Sequence, residues 1–426
     1  MSNNNALIPE YNLRNEKSKN SLNIQIEEET TNGSCISLIN DKNEEKEEEI
    51  IVKKKPSRLT HNTKRVLWAD CLRIYACFLV ILTHVCGYYT NELVFNTYNW
   101  YVIKAYNGLS RPCVPFFVMI SGMFFLKPSK KITLKQMYSK YILRIFKSYV
   151  FWSLFYNIIN NHIIVNKFPP EFNKEILNDI YVNTILGYGH LWYLPFCIGL
   201  YMVTPILKLI IPDRKMTWYM ALLFCLISQF IPEVFDIIHH FCGTNILEPI
   251  RKFFTQSLTV EMAGSFTTYY LLGYLFSTQK LKKSQIYLCY VLGFIGAILS
   301  PILGLLYSYK LGKGNTYYFN FNCFHICMAT VGGFVFFKYT VNDYIEKIRN
   351  KKWVVKIICH LSEWSFGIYL LHISINKCVY LISDTKISAQ MFNPLFAVPV
   401  ESIIIFVICV ILTYLLRLIP FFRVVT

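Results

Sequence analysis

The chain has 426 residues, of which 54% are hydrophobic, 16% aromatic and only 16% charged, and its mean hydropathy is +0.35. That is too apolar for a soluble protein of this length and reads as a polytopic membrane protein. The formal charge of +17 does not point to nucleic acid, because the basic residues stand in short clusters between apolar stretches, where they orient a chain against the cytosolic leaflet.

Residues 1–64 are a different material, rich in Asn, Ser, Lys and Glu, and the run NEEKEEE at 43–49 cannot bury enough apolar surface to offset the entropy of ordering. This segment is expected to be a disordered, charged cytosolic tail preceding a membrane domain over 65–426. It contains no apolar signal-peptide core, so the first membrane helix is expected to act as the targeting signal. Its one glycosylation sequon, Asn32-Gly33-Ser34, should stay unmodified on the cytosolic side.

Beyond the tail, apolar segments recur that are long enough to cross a hydrocarbon core of about 30 Å. They lie near 67–89, 106–126, 141–160, 191–211, 216–232, 264–279, 285–307, 317–339, 357–378 and 395–419. The expected fold class is therefore an all-α integral membrane protein with about ten transmembrane helices. Pro232 is read as ending the fifth span early, and the sixth opens on small polar residues. With the tail inside, the cytosolic loops carry seventeen lysines and arginines and the outer loops nine, so both termini are predicted cytosolic. No internal repeat and no paired set of broken helices is visible, which disfavours a transporter. The host membrane is expected to be the plasma membrane or an endomembrane.

The 14 cysteines are scattered, and most sit inside apolar runs, such as Cys77, Cys225, Cys289 and Cys409, where a thiol packs as a small hydrophobe. Cys323, His325 and Cys327 form an incomplete ligand set and read as core packing, so no metal is expected.

The first span carries Asp70, Arg73 and His84. Arg73 and His84 are eleven residues apart, about 1100° of helix, which puts them on one face with an axial rise of about 16 Å. Asp70 is three residues before Arg73 and can pair with it. An interfacial ion pair and a packing histidine would account for them, but ionisable residues at membrane depth are costly, and an imidazole is the side chain best suited to move a proton near neutral pH. The second span places Arg111 at its outer end, with prolines at 112 and 115 and Ser121-Gly122 in its inner half, where small residues also serve helix contacts. Arg144 and Lys147 extend a basic inner rim, His190 and Trp192 mark the outer edge of the fourth span, and SEWSFGIYLLH puts Glu363, Ser365 and His372 into the ninth.

Together these residues resemble the membrane-bound acyltransferase family 3, the large group of multi-spanning O-acyltransferases. DCLRIYACFLVILTH resembles its first-helix signature, and RPCVPFFVMISGMFF, LRIFKSY, HLWYLPFCIGLYMVTPIL and SFGIYLLH resemble later blocks in the family's order. The resemblance implies a ten-helix domain that takes an acyl group, usually acetyl, from cytosolic acyl-CoA and delivers it to a hydroxyl of a carbohydrate or lipid acceptor. It makes His84 the catalytic histidine and Arg73 a donor-site residue, with Arg111 and Arg144 as further basic positions for the acyl-CoA. Two departures stand out: Trp192 is followed by Tyr-Leu-Pro-Phe and not by a Ser-x-x-x-Glu element, and no hydrolase-like domain is fused, so the transfer is expected to finish within the membrane domain.

On this reading the acyl-CoA phosphates bind near Arg73, Arg144 and Lys147, since Arg grips phosphate with a two-pronged fork. The pantetheine arm then delivers the thioester to His84, which acts either as general base or as a covalent acyl carrier. Ser121 and Trp192 are candidates for shaping the pocket or holding the oxyanion. Acetyl-CoA is thus a co-substrate, and no permanently bound cofactor is expected. The competing class is a proton- or ion-coupled transporter using His84, Arg73 and His372.

Overall fold

The computed structural model describes residues 65–89, 93–158, 174–243, 249–250, 261–383 and 393–426; the charged tail with its Asn32 sequon and the loop residues Lys167, Arg251, Lys252 and Lys386 lie outside the described residues. Among the described residues every regular element is helical. Eight helical stretches are long and apolar enough to cross a membrane: Leu67–Tyr89, Tyr98–Phe125, Gly189–Ile210, Arg214–Cys242, Lys283–Leu311, Tyr317–Ile348, Lys352–Val379 and Pro394–Leu416. The protein is an integral multi-pass membrane protein. The two other segments read as spans also fold as helices, Leu143–Phe155 and Glu261–Thr278, without meeting the same measure of length and hydropathy.

In chain order we label α1 Leu67–Tyr89, α2 Tyr98–Leu109, α3 Cys113–Phe125, α4 Leu143–Phe155, α5 Lys174–Leu186, α6 Tyr193–Ile210, α7 Arg214–Cys242, α8 Glu261–Thr278, α9 Lys283–Leu311, α10 Phe324–Phe336, α11 Lys352–Ser383 and α12 Pro394–Leu416. Helix α1 runs through the middle of the bundle and packs against α11, α3, α12 and α2. Its Leu72, Ala76, Val85 and Cys86 are completely buried.

Three departures from the expected spans have physical causes. The second span begins at Tyr98, not at 106, where the Thr97 hydroxyl caps the helix by accepting from the Trp100 N–H at 3.3 Å. Lys104 reads as an outer-loop residue but is buried, with its ammonium 6.0 Å from the Trp100 ring and 5.8 Å from that of Phe319, and Asn107 in the same helix is buried too. The same span breaks between α2 and α3 at Ser110-Arg111-Pro112, as expected where a proline cannot donate to the preceding turn. The fifth span does not stop at Pro232: a π-turn over Leu226–Phe230 widens the helix just ahead of the ring, and the chain continues helical to Cys242. Helix α5, between two spans, has no counterpart in the sequence reading.

Glycines set the closest crossings. A Cβ at Gly122 would stand 1.9 Å from the Tyr270 carbonyl oxygen and one at Gly273 2.1 Å from that of Met119, so α3 and α8 meet backbone to backbone. Gly293 and Gly332 do the same for α9 and α10, where a Cβ on the first would lie 2.6 Å from the Cα of the second. Ser121 is adjacent to the first crossing.

Candidate active site

At the N-terminal end of α1, Asp70 is a buried hub. Its Oδ2 accepts from Arg65 Nε at 2.7 Å, and its Oδ1 accepts from Arg73 Nη1 at 3.3 Å and from the Ser362 hydroxyl at 2.6 Å. The same hydroxyl oxygen accepts from Arg73 Nη1 at 2.8 Å. Arg65 also reaches Glu363 Oε1 at 2.7 Å and the Cys359 carbonyl at 3.0 Å. Although partial burial works against it, bonds to the Asp70 and Glu363 carboxylates hold the Arg65 guanidinium above its ordinary pKa. Asp70 thus pairs with Arg73 as its spacing suggests, while Arg65 and Ser362, which lock α1 to α11, carry no such signal in the sequence.

Arg73 lines two cavities. One, of about 460 Å³, holds Arg73, Arg144, Arg417 and Glu363 together with Tyr141, Tyr193 and Tyr201. The other, of about 240 Å³, is formed by Arg73, Ser121, Val80, Tyr193, Tyr201 and Tyr369 with phenylalanines 117, 124, 125 and 366. Five residues belong to both: Arg73, Tyr193, Tyr201, Ser365 and Phe366. A charged cleft and an aromatic chamber therefore share the Arg73 guanidinium as a common wall. Mostly apolar lining with a few convergent polar groups is the usual make-up of a small-molecule site.

Tyr369 links the chamber to a cluster of imidazoles. Its ring centroid is 5.8 Å from that of His190 and 5.8 Å from that of His372, and its hydroxyl donates to the His190 carbonyl at 2.5 Å. His84 completes the group, with centroids 5.0 Å from His372 and 6.5 Å from His190, while His190 and His372 are 5.2 Å apart. His190 and His372 are buried, at 4% and 0% exposure. Nε2 of His372 has no hydrogen-bond partner within the protein. An unpaired buried polar atom is uncommon in a protein interior and calls for an explanation. In the sequence these histidines stand as three separate polar residues; that α1, α11 and the turn at Gly189–Trp192 bring them together is not visible in any one segment.

The remaining residues fall in different places. Arg144 is exposed to the cleft, donates to the Thr426 carbonyl at 3.3 Å and lies 6.0 Å from the Phe366 ring; Arg417 donates to the same carbonyl at 2.9 Å. Lys147 is exposed and lines neither cavity. Trp192, 40% exposed, also lines neither and stacks on Phe321 at 5.9 Å. Arg111 is not in the cleft with Arg73 and Arg144. Its neighbour Ser110 hydrogen-bonds Thr83 at 2.7 Å, which puts Arg111 at the level of His84, and its guanidinium lies over the rings of Phe319 and Phe321 at 5.3 and 5.9 Å.

Cys323 and His325 gain a neighbour the sequence did not suggest, since Glu233 of α7 brings three ligand-type groups within 4.8 Å of one another. Both His325 nitrogens are engaged, Nδ1 with Glu233 and Nε2 with the Tyr318 carbonyl at 3.0 Å, so the group reads as a helix-to-helix tie.

Compared with known proteins, residues 66–418 match the family model described as an acyltransferase domain, of acyltransferase family 3. No curated protein and no solved structure matches the chain.

Proposed function

This chain belongs to that acyltransferase family, and from this premise we propose that it moves an acetyl group from cytosolic acetyl-CoA to a hydroxyl of a carbohydrate or lipid acceptor. The observation that carries the proposal is Arg73, which borders both the basic cleft and the aromatic chamber and stands on the same helix as His84. A membrane acyltransferase needs a charged mouth for the CoA phosphates and a dry passage for the pantetheine arm, and the rise of about 16 Å between Arg73 and His84 suits that arm. Arg144 and Arg417 add charge to the mouth, with both termini taken as cytosolic. The transporter alternative is not favoured in a family of transferases.

In the proposed reaction neutral His84 takes the proton of the acceptor hydroxyl as its oxygen bonds to the thioester carbonyl carbon, a role typically worth 10²- to 10⁴-fold in rate. The tetrahedral species then expels the CoA sulfur: the C–S bond breaks, the O–C bond remains, and the His84 proton passes to the thiolate. Asp70 and Ser362 hold Arg73 in the donor site, and Ser121 lies on the chamber wall where a carbonyl oxygen could be received.

The test is transfer of label from acetyl-CoA into glycan and lipid fractions of membranes that contain the parent protein or His84→Ala. Label that requires the protein and drops at least about a hundredfold in the variant supports the reading. A variant that labels as well as its parent would remove His84 from the chemistry.

A further inference from the structure

We propose that His372 is the positioning residue for His84, holding it in the tautomer that a general base requires. The proposal rests on the acyltransferase reading above.

His372 Nδ1 lies 2.5 Å from the Tyr369 carbonyl oxygen. A carbonyl only accepts, so Nδ1 must carry the hydrogen, and the neutral ring is left with a lone pair on Nε2. That nitrogen is buried without a hydrogen-bond partner on a side chain with 0% exposure. A buried acceptor left empty keeps its desolvation cost uncompensated, so a donor that can reach it has a ready partner. The nearest ring is His84, with its centroid 5.0 Å away and tilted by 53°. Imidazole nitrogens stand about 1 Å from their centroid, so the closest nitrogen-to-nitrogen approach that this centroid distance allows is about 3 Å, the length of a hydrogen bond.

The consequence is chemical. With one His84 N–H donated to His372 Nε2, the other His84 nitrogen keeps its lone pair for the acceptor hydroxyl. The Tyr369 carbonyl, His372 and His84 then form a chain in which each group fixes the tautomer of the next, the logic by which an acid orients histidine in hydrolytic triads. No proton crosses to His372: His84 takes the acceptor proton at its far nitrogen and returns it to the CoA thiolate, while the near N–H stays in place.

Two substitutions separate this role from others. An Asn amide replaces Nδ1 and its donor hydrogen but has nothing at the Nε2 position, whereas a Gln places an acceptor oxygen near Nε2 that cannot carry a proton. With purified full-length protein, initial rates of label transfer from acetyl-CoA are measured for the parent, His372→Asn and His372→Gln, each with its KM for acetyl-CoA. We expect His372→Asn to lose at least about tenfold in kcat at unchanged KM, and His372→Gln to stay within about threefold of the parent. Both variants as active as the parent would overturn the proposal, as would equal losses in both, which would mean a proton carrier. A raised KM, or loss of folded protein in both variants, would assign His372 to the donor site or to packing and overturn it equally. A parent that transfers no label defeats the acyltransferase reading itself, and the assignment falls with it; an active parent with an indifferent His372 defeats the assignment alone.

Discussion

Arg73 holds three jobs at once: it receives Ser362 and Asp70 as partners, walls the cleft and walls the chamber. Replacing it with Gln keeps hydrogen-bonding capacity but removes the charge and the fork that suit a phosphate, so Arg73→Gln should raise the KM for acetyl-CoA about tenfold or more while kcat changes less, as initial-rate measurements would read. Asp70→Asn tests the hub beneath it. The carboxylate answers two guanidinium groups and a hydroxyl, and neutralising it leaves buried donors poorly matched, so a loss of about 1–3 kcal/mol of stability is expected in thermal unfolding of the detergent-solubilised protein. Asp70, Arg73 and His84 were legible in the sequence because they are ionisable residues in an apolar helix. Ser362 and the cluster formed by His190 and His372 were not, since their meaning depends on contacts between helices more than a hundred residues apart.

Among the elements, hydropathy reported the spans faithfully where lipid or core covers every face, as in α1 and α12, and failed where tertiary contacts bury polar groups. Lys104 drew the start of the second span too late because nothing local tells that two aromatic rings will cover its ammonium. Pro232 reads as a stop because the π-turn that accommodates it leaves no mark in composition. The glycine crossings make a sharp prediction at this scale. Gly122→Ala drives a methyl into the Tyr270 backbone and should cost at least about 1–3 kcal/mol, as in overpacked cores, whereas Gly87→Ala, whose Cβ meets nothing within 4 Å, should be neutral or mildly stabilising. Melting temperatures of the two variants in one detergent decide it, and similar values would show that α3 and α8 can part.

For the whole molecule, the orientation read from basic loops has a direct check. A glycosylation sequon inserted after Gly312, in the turn that closes α9, should be modified in a microsomal system, and one inserted after Lys351 should not; the opposite pattern would put the donor cleft on the wrong side for cytosolic acetyl-CoA. If the cleft receives CoA phosphates at the inner rim, its affinity should weaken with salt, and raising ionic strength from about 0.01 to 0.15 M, which shortens the screening length from about 30 to 8 Å, should raise the KM for acetyl-CoA.

The backbone contact between α3 and α8 also defines a frame of reference. Two helices that touch through Gly122 and Gly273 have no side chain to repack at those two contacts, so the pair is expected to shift as one body. Ser121 is bolted to that body, while Arg73 and His84 travel with α1. Distances measured by paired spectroscopic labels from α3 to α1 or α11 would therefore register opening and closing of the chamber, and labels on α3 and α8 would supply the fixed baseline against which any such motion is read.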